Sequence, residues 1–197
     1  MDAVAALRAG LLVVLPTDTV YGLAAAAEDE TAVRELSRAK GRSGSTPIAL
    51  VAESVEALLD RVPELRGRDE AIARALLPGP YTLVLRNPAG RYPWLAGDAP
   101  DKIGVRVPVL TGESAAVLAE VGAVAATSAN LHGGADPRTL ADVPEEIRAV
   151  AAVLVDGGEL PGTASTVIDF TTAEPRVIRE GAASSAEAIA RVEAVVG

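Results

Sequence analysis

The chain contains no cysteine and a single histidine in its 197 residues. The first absence excludes disulfide frameworks, thiolate nucleophiles and cysteine-ligated zinc together; the second excludes any metal site built on two histidines. Aromatic side chains are almost as scarce, at 3%, so the core has to be packed from alanine, valine, leucine and isoleucine. Positive charge is in deficit: 18 Lys and Arg oppose 27 Asp and Glu, for a net charge of −9. Non-specific nucleic-acid binders carry a basic footprint, so strong direct binding of RNA or DNA is not expected, although a local basic patch is compatible with this balance. No apolar stretch reaches the roughly 18 residues of a membrane span. The first 30 residues lack a basic leader, and Asp18, Glu28, Asp29 and Glu30 break their apolar run. What the chain does have is apolar surface, 49% of its residues, which is too much for it to remain disordered. The expectation is one soluble, cytoplasmic domain over residues 1–197.

Periodicity supplies the elements. Asp2 caps a short helix over Ala3–Arg8, which Gly10 ends, and Leu11–Leu15 is a buried strand that stops at Pro16. Asp29 caps a helix with Ala32, Val33 and Leu36 on its inner face, closing at Lys40 and Gly41. Pro47–Val51 reads as a strand, Val55–Arg61 and Glu70–Leu77 as helices, and Tyr81–Leu85 and Ile103–Val107 as strands about a loop rich in proline and glycine. Glu113–Val121 is helical, Ala123–Thr127 is an apolar strand, and a proline begins the helix over Pro144–Val150. Val153–Asp156, Thr166–Phe170 and Arg176–Arg179 follow as strands, and a capping box of Ser184 with Glu187 opens the last helix. Strands that succeed one another without helices late in the chain make the sheet mixed. The fold class is α/β, a twisted mixed sheet flanked by helices.

Three segments could carry chemistry. Thr17-Asp18-Thr19-Val20-Tyr21 follows the first buried strand and puts two hydroxyls, a carboxylate and a phenol into one short turn, at the kind of strand end where open α/β sheets bind ligands. The same residues could equally bond their own backbone. Lys40 and Arg42 lie past a helix end beside Ser43-Gly44-Ser45. They are either solvated helix-end cations, replaceable at about 0.3–1 kcal/mol, or an anion clamp; the loop is not a Walker A sequence, which needs its lysine at the start of a helix. Thr127-Ser128-Ala129-Asn130 runs from a buried strand into His132-Gly133-Gly134, and the glycines allow close backbone approach to a ligand. A serine hydrolase using His132 is disfavoured, because the G-x-S-x-G elbow is absent. Arg106, Ser165 and Arg179 stand out more weakly; an arginine within an apolar strand must reach a partner or the sheet rim.

Taken in order, PTDTVYGL at Pro16–Leu23, K-x-R at Lys40 and Arg42, LPGPYTLVL at Leu77–Leu85, GVRVP at Gly104–Pro108, TSAN at Thr127–Asn130, STVID at Ser165–Asp169 and IREGA at Ile178–Ala182 resemble the YrdC-like threonylcarbamoyl-AMP synthase family. Each motif alone is weak; seven in order across residues 11 to 182 are specific. The resemblance implies synthesis of threonylcarbamoyl-adenylate and pyrophosphate from L-threonine, bicarbonate (or CO2) and ATP, with Mg²⁺ carried by the phosphates. It also implies a separate transferase complex that places the threonylcarbamoyl group on a tRNA adenosine. Carried over by position, Thr17, Arg106, Ala126 and Ser165 would hold threonine, while Lys40, Arg42, Lys102, Ser128, Asn130, Asp136 and Arg179 would hold ATP. No covalent nucleophile and no protein-held metal are expected. Ser43 stands where relatives usually have proline, Val51 where many have histidine, and Asp136 where a small hydroxyl residue is usual. The chain stops at Gly197 without the additional C-terminal domain of longer relatives. Two other readings are a non-catalytic nucleotide- or RNA-binding module on the same fold, and a carbamoyl-transferring relative, which would usually bring zinc-binding cysteines.

Overall fold

The computed structural model describes residues 1–41 and 46–197. In chain order the elements are α1 (Ala3–Arg8), β1 (Leu12–Pro16), β2 (Tyr21–Ala26), α2 (Glu30–Ala39), β3 (Ala49–Ala52), α3 (Val55–Arg61), α4 (Arg68–Leu76), β4 (Tyr81–Arg86), β5 (Lys102–Arg106), α5 (Gly112–Val121), β6 (Ala123–Ser128), α6 (Glu145–Val150), β7 (Ala151–Leu154), β8 (Thr166–Asp169), β9 (Arg176–Arg179) and α7 (Ser185–Val196). Short 3-10 turns occupy Pro93–Leu95 and Leu140–Asp142. All nine strands join one sheet in the order β7-β1-β2-β6-β3-β5-β4-β8-β9. β1 with β7, β3 with β5 and β4 with β8 are parallel; the remaining pairs are antiparallel. The sheet is mixed, as expected.

Local chemistry accounts for the helix starts. Asp2 accepts from the Ala5 N–H at 2.8 Å, Asp29 from Thr31 and Ala32 at 2.9 and 3.1 Å, and Ser54 from Ala57 at 3.0 Å, each satisfying donors that a helix leaves unpaired. Ser184 accepts from the Glu187 N–H at 3.3 Å, but Glu180 rather than Glu187 supplies the second carboxylate, accepting from the Ser185 N–H at 2.9 Å.

The sequence reading missed one strand. β2 pairs with β1 as a hairpin, Pro16 opposite Tyr21, so Tyr21 belongs to a strand and not to the turn before it. Every residue from Tyr21 to Ala25 is buried. A strand covered on both faces shows no alternation, and its alanine run carries no β signal of its own.

Alternate residues of β1, β2, β3 and β6 feed two cores. Leu12 and Val14 of β1, Leu23 of β2, Leu50 of β3 and Val105 of β5 face the larger core under α2, α3, α4 and α7. Val13 and Leu15, Ala24, Val51 and Val124 face a smaller core closed by Ala3, Ala6 and Leu7 of α1 and Val117 and Leu118 of α5. The two helices of the smaller core pack at one end of their face of the sheet. A cavity opens beside them.

Gly181, after β9, passes hard against the start of β8: a Cβ there would lie 2.3 Å from the Ala164 carbonyl oxygen and 2.6 Å from that of Ser165. Both obstacles are backbone, so neither can swing aside. Gly181→Ala is expected to lower stability by about 1–3 kcal/mol, the usual cost of overpacking, read as a lower urea midpoint.

Candidate functional site

The cavity encloses about 440 Å³, within the range of roughly 300–1,000 Å³ found for small-molecule pockets. Its floor is the exposed half of the sheet, where Gly22, Ala24, Ala49, Gly104 and Ala126 leave the surface low. Four cations, Lys102, Arg106, Arg176 and Arg179, and one carboxylate, Asp169, stand on its wall. In a chain of net charge −9 this is a local reversal of sign, and it favours an anionic ligand.

The β1–β2 turn forms one side. Thr17 Oγ1 donates to the Val20 carbonyl at 2.7 Å and accepts from the N–H groups of Thr19 and Val20, both at 3.2 Å. The hydroxyl therefore closes the turn on itself. Asp18 at its tip reaches across to β5, where its Oδ1 pairs with Arg106 Nη2 and its Oδ2 accepts from the Val109 N–H at 3.1 Å. The same Nη2 donates to the buried Thr19 hydroxyl at 2.8 Å. Both Nη2 hydrogens are thus engaged, whereas Arg106 Nε is buried with no partner among the described residues. Burial pushes the guanidinium below its ordinary pKa, and the neighbouring Arg179 adds to that; the Asp18 carboxylate pulls it back.

The opposite side is built on Ser165. Its hydroxyl lies 2.8 Å from Thr82 Oγ1 on β4. Arg179 brackets it, donating from Nε and Nη2 to the Ser165 carbonyl at 3.0 and 2.8 Å and from Nη2 to the hydroxyl at 3.2 Å. Lys102 Nζ donates to Asp169 at 2.9 Å. Burial alone would raise the Asp169 carboxyl, but hydrogen bonds from Thr171 and Lys102 outweigh it and hold the group below the usual aspartate range.

The third corner differs from the expected clamp. Lys40 is 1% exposed; its ammonium donates to the Ser128 carbonyl and, at 2.7 Å, to Asn130 Oδ1. Asn130 Oδ1 also accepts from Ser128 Oγ at 2.7 Å, and its amide donates to the Gly134 carbonyl at 2.6 Å and to Asp136 Oδ1 at 3.3 Å. The reading of Lys40 as a solvated helix-end cation is corrected: the chain turns it inward beneath the β6 strand end, where Asn130 and a carbonyl satisfy it. Arg42, the other half of the K-x-R motif, lies outside the described residues.

Thr17, Lys102, Arg106, Ala126, Ser128, Ser165 and Arg179 share the cavity wall. Lys40, Asn130 and Asp136 form a bonded group behind Ser128. Sequence reasoning named Asp18 and Thr19 only as turn residues and gave no role to Thr82 or Asp169. Asp18 had a legible signal, a carboxylate between two hydroxyl residues at a strand end; Thr82 had none, since its partner is 83 residues away. His132 is exposed and stands apart from the wall. Tyr21 is a brace: buried, its hydroxyl lies 2.8 Å from the Gly158 carbonyl and 3.1 Å from Asp156, and it accepts from the Gly157 N–H at 2.9 Å.

Comparison with known proteins fits this geometry. Residues 5–181 match the Sua5/YciO/YrdC family, described as telomere recombination. The chain belongs to the Sua5/YciO/YrdC family. Among its relatives, a Mycobacterium tuberculosis protein provisionally named a threonylcarbamoyl-AMP synthase is 39% identical over 196 residues, covering 98% of this chain and 88% of that one. The Pyrococcus abyssi threonylcarbamoyl-AMP synthase is 37% identical over 97% of this chain, which spans 55% of that longer protein. The crystal structure of P. abyssi Sua5 complexed with L-threonine superposes with a TM-score of 0.85 at 36% identity, covering 98% of this chain and 56% of that one.

Two measurements test the electrostatics of this Sua5/YciO/YrdC protein. Lys40→Ala removes one of the two donors to Asn130 Oδ1 and the ammonium on the Ser128 carbonyl, so it is expected to lower stability by about 1–3 kcal/mol rather than the few tenths of a solvated cation; an unchanged urea midpoint would contradict the buried network. The lowered Asp169 carboxyl contributes stability that is complete above the unfolded aspartate pKa, about 3.9, and is lost as pH falls through the lower folded value. Asp169→Asn is expected to weaken the protein at neutral pH and to flatten the acid limb of its urea-midpoint profile.

Proposed function

We propose that this chain is an L-threonylcarbamoyladenylate synthase, a nucleotidyltransferase that converts L-threonine, bicarbonate or CO2 and ATP into threonylcarbamoyl-AMP and pyrophosphate. The observation that carries the reading is the Arg106 guanidinium in the wall of a cationic cavity, held in place by Asp18 and Thr19. Family membership, the names of the relatives and the threonine complex of the P. abyssi structure support it.

On this reading Arg106 receives the threonine carboxylate through a charge-assisted bond, while Thr17, Ala126 and Ser165 shape the amino-acid end. Lys102, Ser128 and Arg179 meet the nucleotide, with Asp136 and Asn130 behind Ser128 and Arg42 completing the phosphate side. Lys40 acts by fixing Ser128 and Asn130. The threonine amine attacks CO2 to give a carbamate, whose oxygen displaces pyrophosphate from the α-phosphorus. No side chain has to form a bond; alignment and positive charge are what the step demands. A pocket with few waters protects the mixed anhydride from hydrolysis. Among the described residues no three carboxylates or imidazoles gather as a metal site; the residues present do not fit a resident ion, and Mg²⁺ is read only as a companion of the ATP phosphates.

The product would pass to a separate transferase complex acting on tRNA in the cytoplasm. No helix among the described residues is long and apolar enough to cross a membrane. The RNA-binding alternative finds no support in the cavity wall, which carries no aromatic side chain, whereas single-stranded RNA is held by stacking on aromatics.

Pyrophosphate release is the decisive assay. It is expected to require both threonine and bicarbonate, with serine, one methyl short, used poorly and valine, lacking the hydroxyl, rejected more strongly. Arg106→Lys is expected to impair threonine use markedly, because an ammonium cannot serve Asp18, Thr19 and a carboxylate in the geometry of a planar guanidinium. Release that ignores the amino acid would overturn the proposal.

A further inference from the structure

Arg176 lines the cavity beside Lys102 and Asp169 and takes no part in the contacts proposed above. Its place there goes with an irregularity in the sheet edge. β8 and β9 run antiparallel with Asp169 opposite Arg176, but the register shifts between Val167 and Ile168: Val177 pairs with Ile168, and Arg179 pairs with Val167. In an unbroken strand, residues three apart point to opposite faces. Ile178 is the extra residue of a bulge, a device that re-aims side chains, and Arg176 and Arg179 both line the cavity.

Asp169 is the hub of this end, and its side chain is only 6% exposed. Oδ1 accepts from the Thr171 N–H at 2.9 Å and from the Thr171 hydroxyl at 2.6 Å. Oδ2 accepts from Lys102 Nζ at 2.9 Å and lies 3.5 Å from Arg176 Nη2. A carboxylate offers about four acceptor positions, and these neighbours occupy them, so Asp169 has none left for a substrate. The cations are the accessible partners: the side chains of Lys102 and Arg176 are 31% and 73% exposed. Two cations drawn to one oxygen would repel each other without it; with it they stand side by side and keep a net positive charge.

The pair stands away from the amino-acid end. Lys102 and Arg106 are on the same face of β5, four residues and therefore about 13 Å apart along the strand, more than one amino acid spans. Of the substrates in the proposed reaction, the nucleotide alone reaches that far and carries several negative charges on neighbouring oxygens. We infer that Asp169 is a positioning residue for nucleotide binding, holding Lys102 of β5 and Arg176 of β9 as a paired cationic contact for the phosphate chain of ATP. The inference rests on the synthase reaction proposed above and deepens it: Arg176 joins the nucleotide contacts, and Asp169 acts through the two cations rather than on the substrate. Fixing two long, flexible side chains before the ligand arrives removes an ordering cost that binding would otherwise carry.

The test measures KM for ATP and KM for threonine, read as pyrophosphate release, in the wild-type protein, Arg176→Ala, Asp169→Asn and the double variant. Arg176 is exposed, so its truncation keeps the fold. Arg176→Ala is expected to raise the KM for ATP about three- to tenfold, the scale of a charge-assisted contact open to solvent, with the KM for threonine unchanged. Asp169→Asn is expected to raise the KM for ATP at least as much, since both cations lose their anchor. The two effects are expected to be less than additive in the double variant, because one acts partly through the other. Inhibition by tripolyphosphate is expected to weaken in step with the KM for ATP, and inhibition by adenosine to stay as in the wild type. An unchanged KM for ATP in Arg176→Ala, full additivity, or an equal loss of adenosine inhibition would overturn this inference while leaving the proposed reaction standing. A wild-type protein whose pyrophosphate release does not depend on threonine would fail the reaction itself.

Discussion

The site hangs on one ion pair. An arginine whose side chain is 11% exposed cannot stay charged in an aliphatic cavity without a counter-charge close by. Asp18 supplies it, and by accepting from the Val109 N–H as well it fixes the start of the β5–α5 connection to the β1–β2 turn. Thr19 takes the remaining Nη2 hydrogen. A turn between two adjacent strands thereby orients a guanidinium nearly ninety residues later in the chain, and leaves its Nε with no partner among the described residues. Both the position of α5 and the chemistry of the cavity follow from that arrangement.

The nucleotide side uses a different device. Asn130 sits at the centre, its oxygen accepting from Lys40 and Ser128 and its amide donating to Gly134 and Asp136. With the Ser128 carbonyl and the Asn130 amide oxygen as acceptors, Lys40 brings a positive charge beneath the β6 strand end. Asp136, the residue at odds with the expected hydroxyl, lies on the far side of the same amide. There its charge is answered by a donor.

Much of this was legible before the structure. Helix starts at Asp2, Asp29 and Ser54 follow from local hydrogen bonding, which sequence spacing encodes directly. The mixed sheet followed from strands crowded late in the chain. β2 was hidden because Tyr21 to Ala25 are buried on both faces, which erases alternation. At the site, Arg106 and Ser165 could be named, but their partners could not: Thr82 and Asp18 meet them across long separations that no local pattern records. Of the two readings of Lys40, the solvated helix-end cation fails for a related reason: only the tertiary placement of Asn130 draws the side chain inside.

The sheet ends on two strands of four residues each, β7 and β9, which have no neighbour on their outer sides. β9 is exposed along its whole length, with Val177 and Ile178 bare between Arg176 and Arg179. An open edge with apolar residues invites another chain to add a strand, and charge and brevity are the usual defences. Arg179 is committed to Ser165, and Arg176 leans toward Asp169 at 3.5 Å, so both guanidinium groups reach back over β8 and leave the outer margin to the backbone. Brevity is then the defence of this edge: four residues offer an incoming strand few ladder bonds to complete.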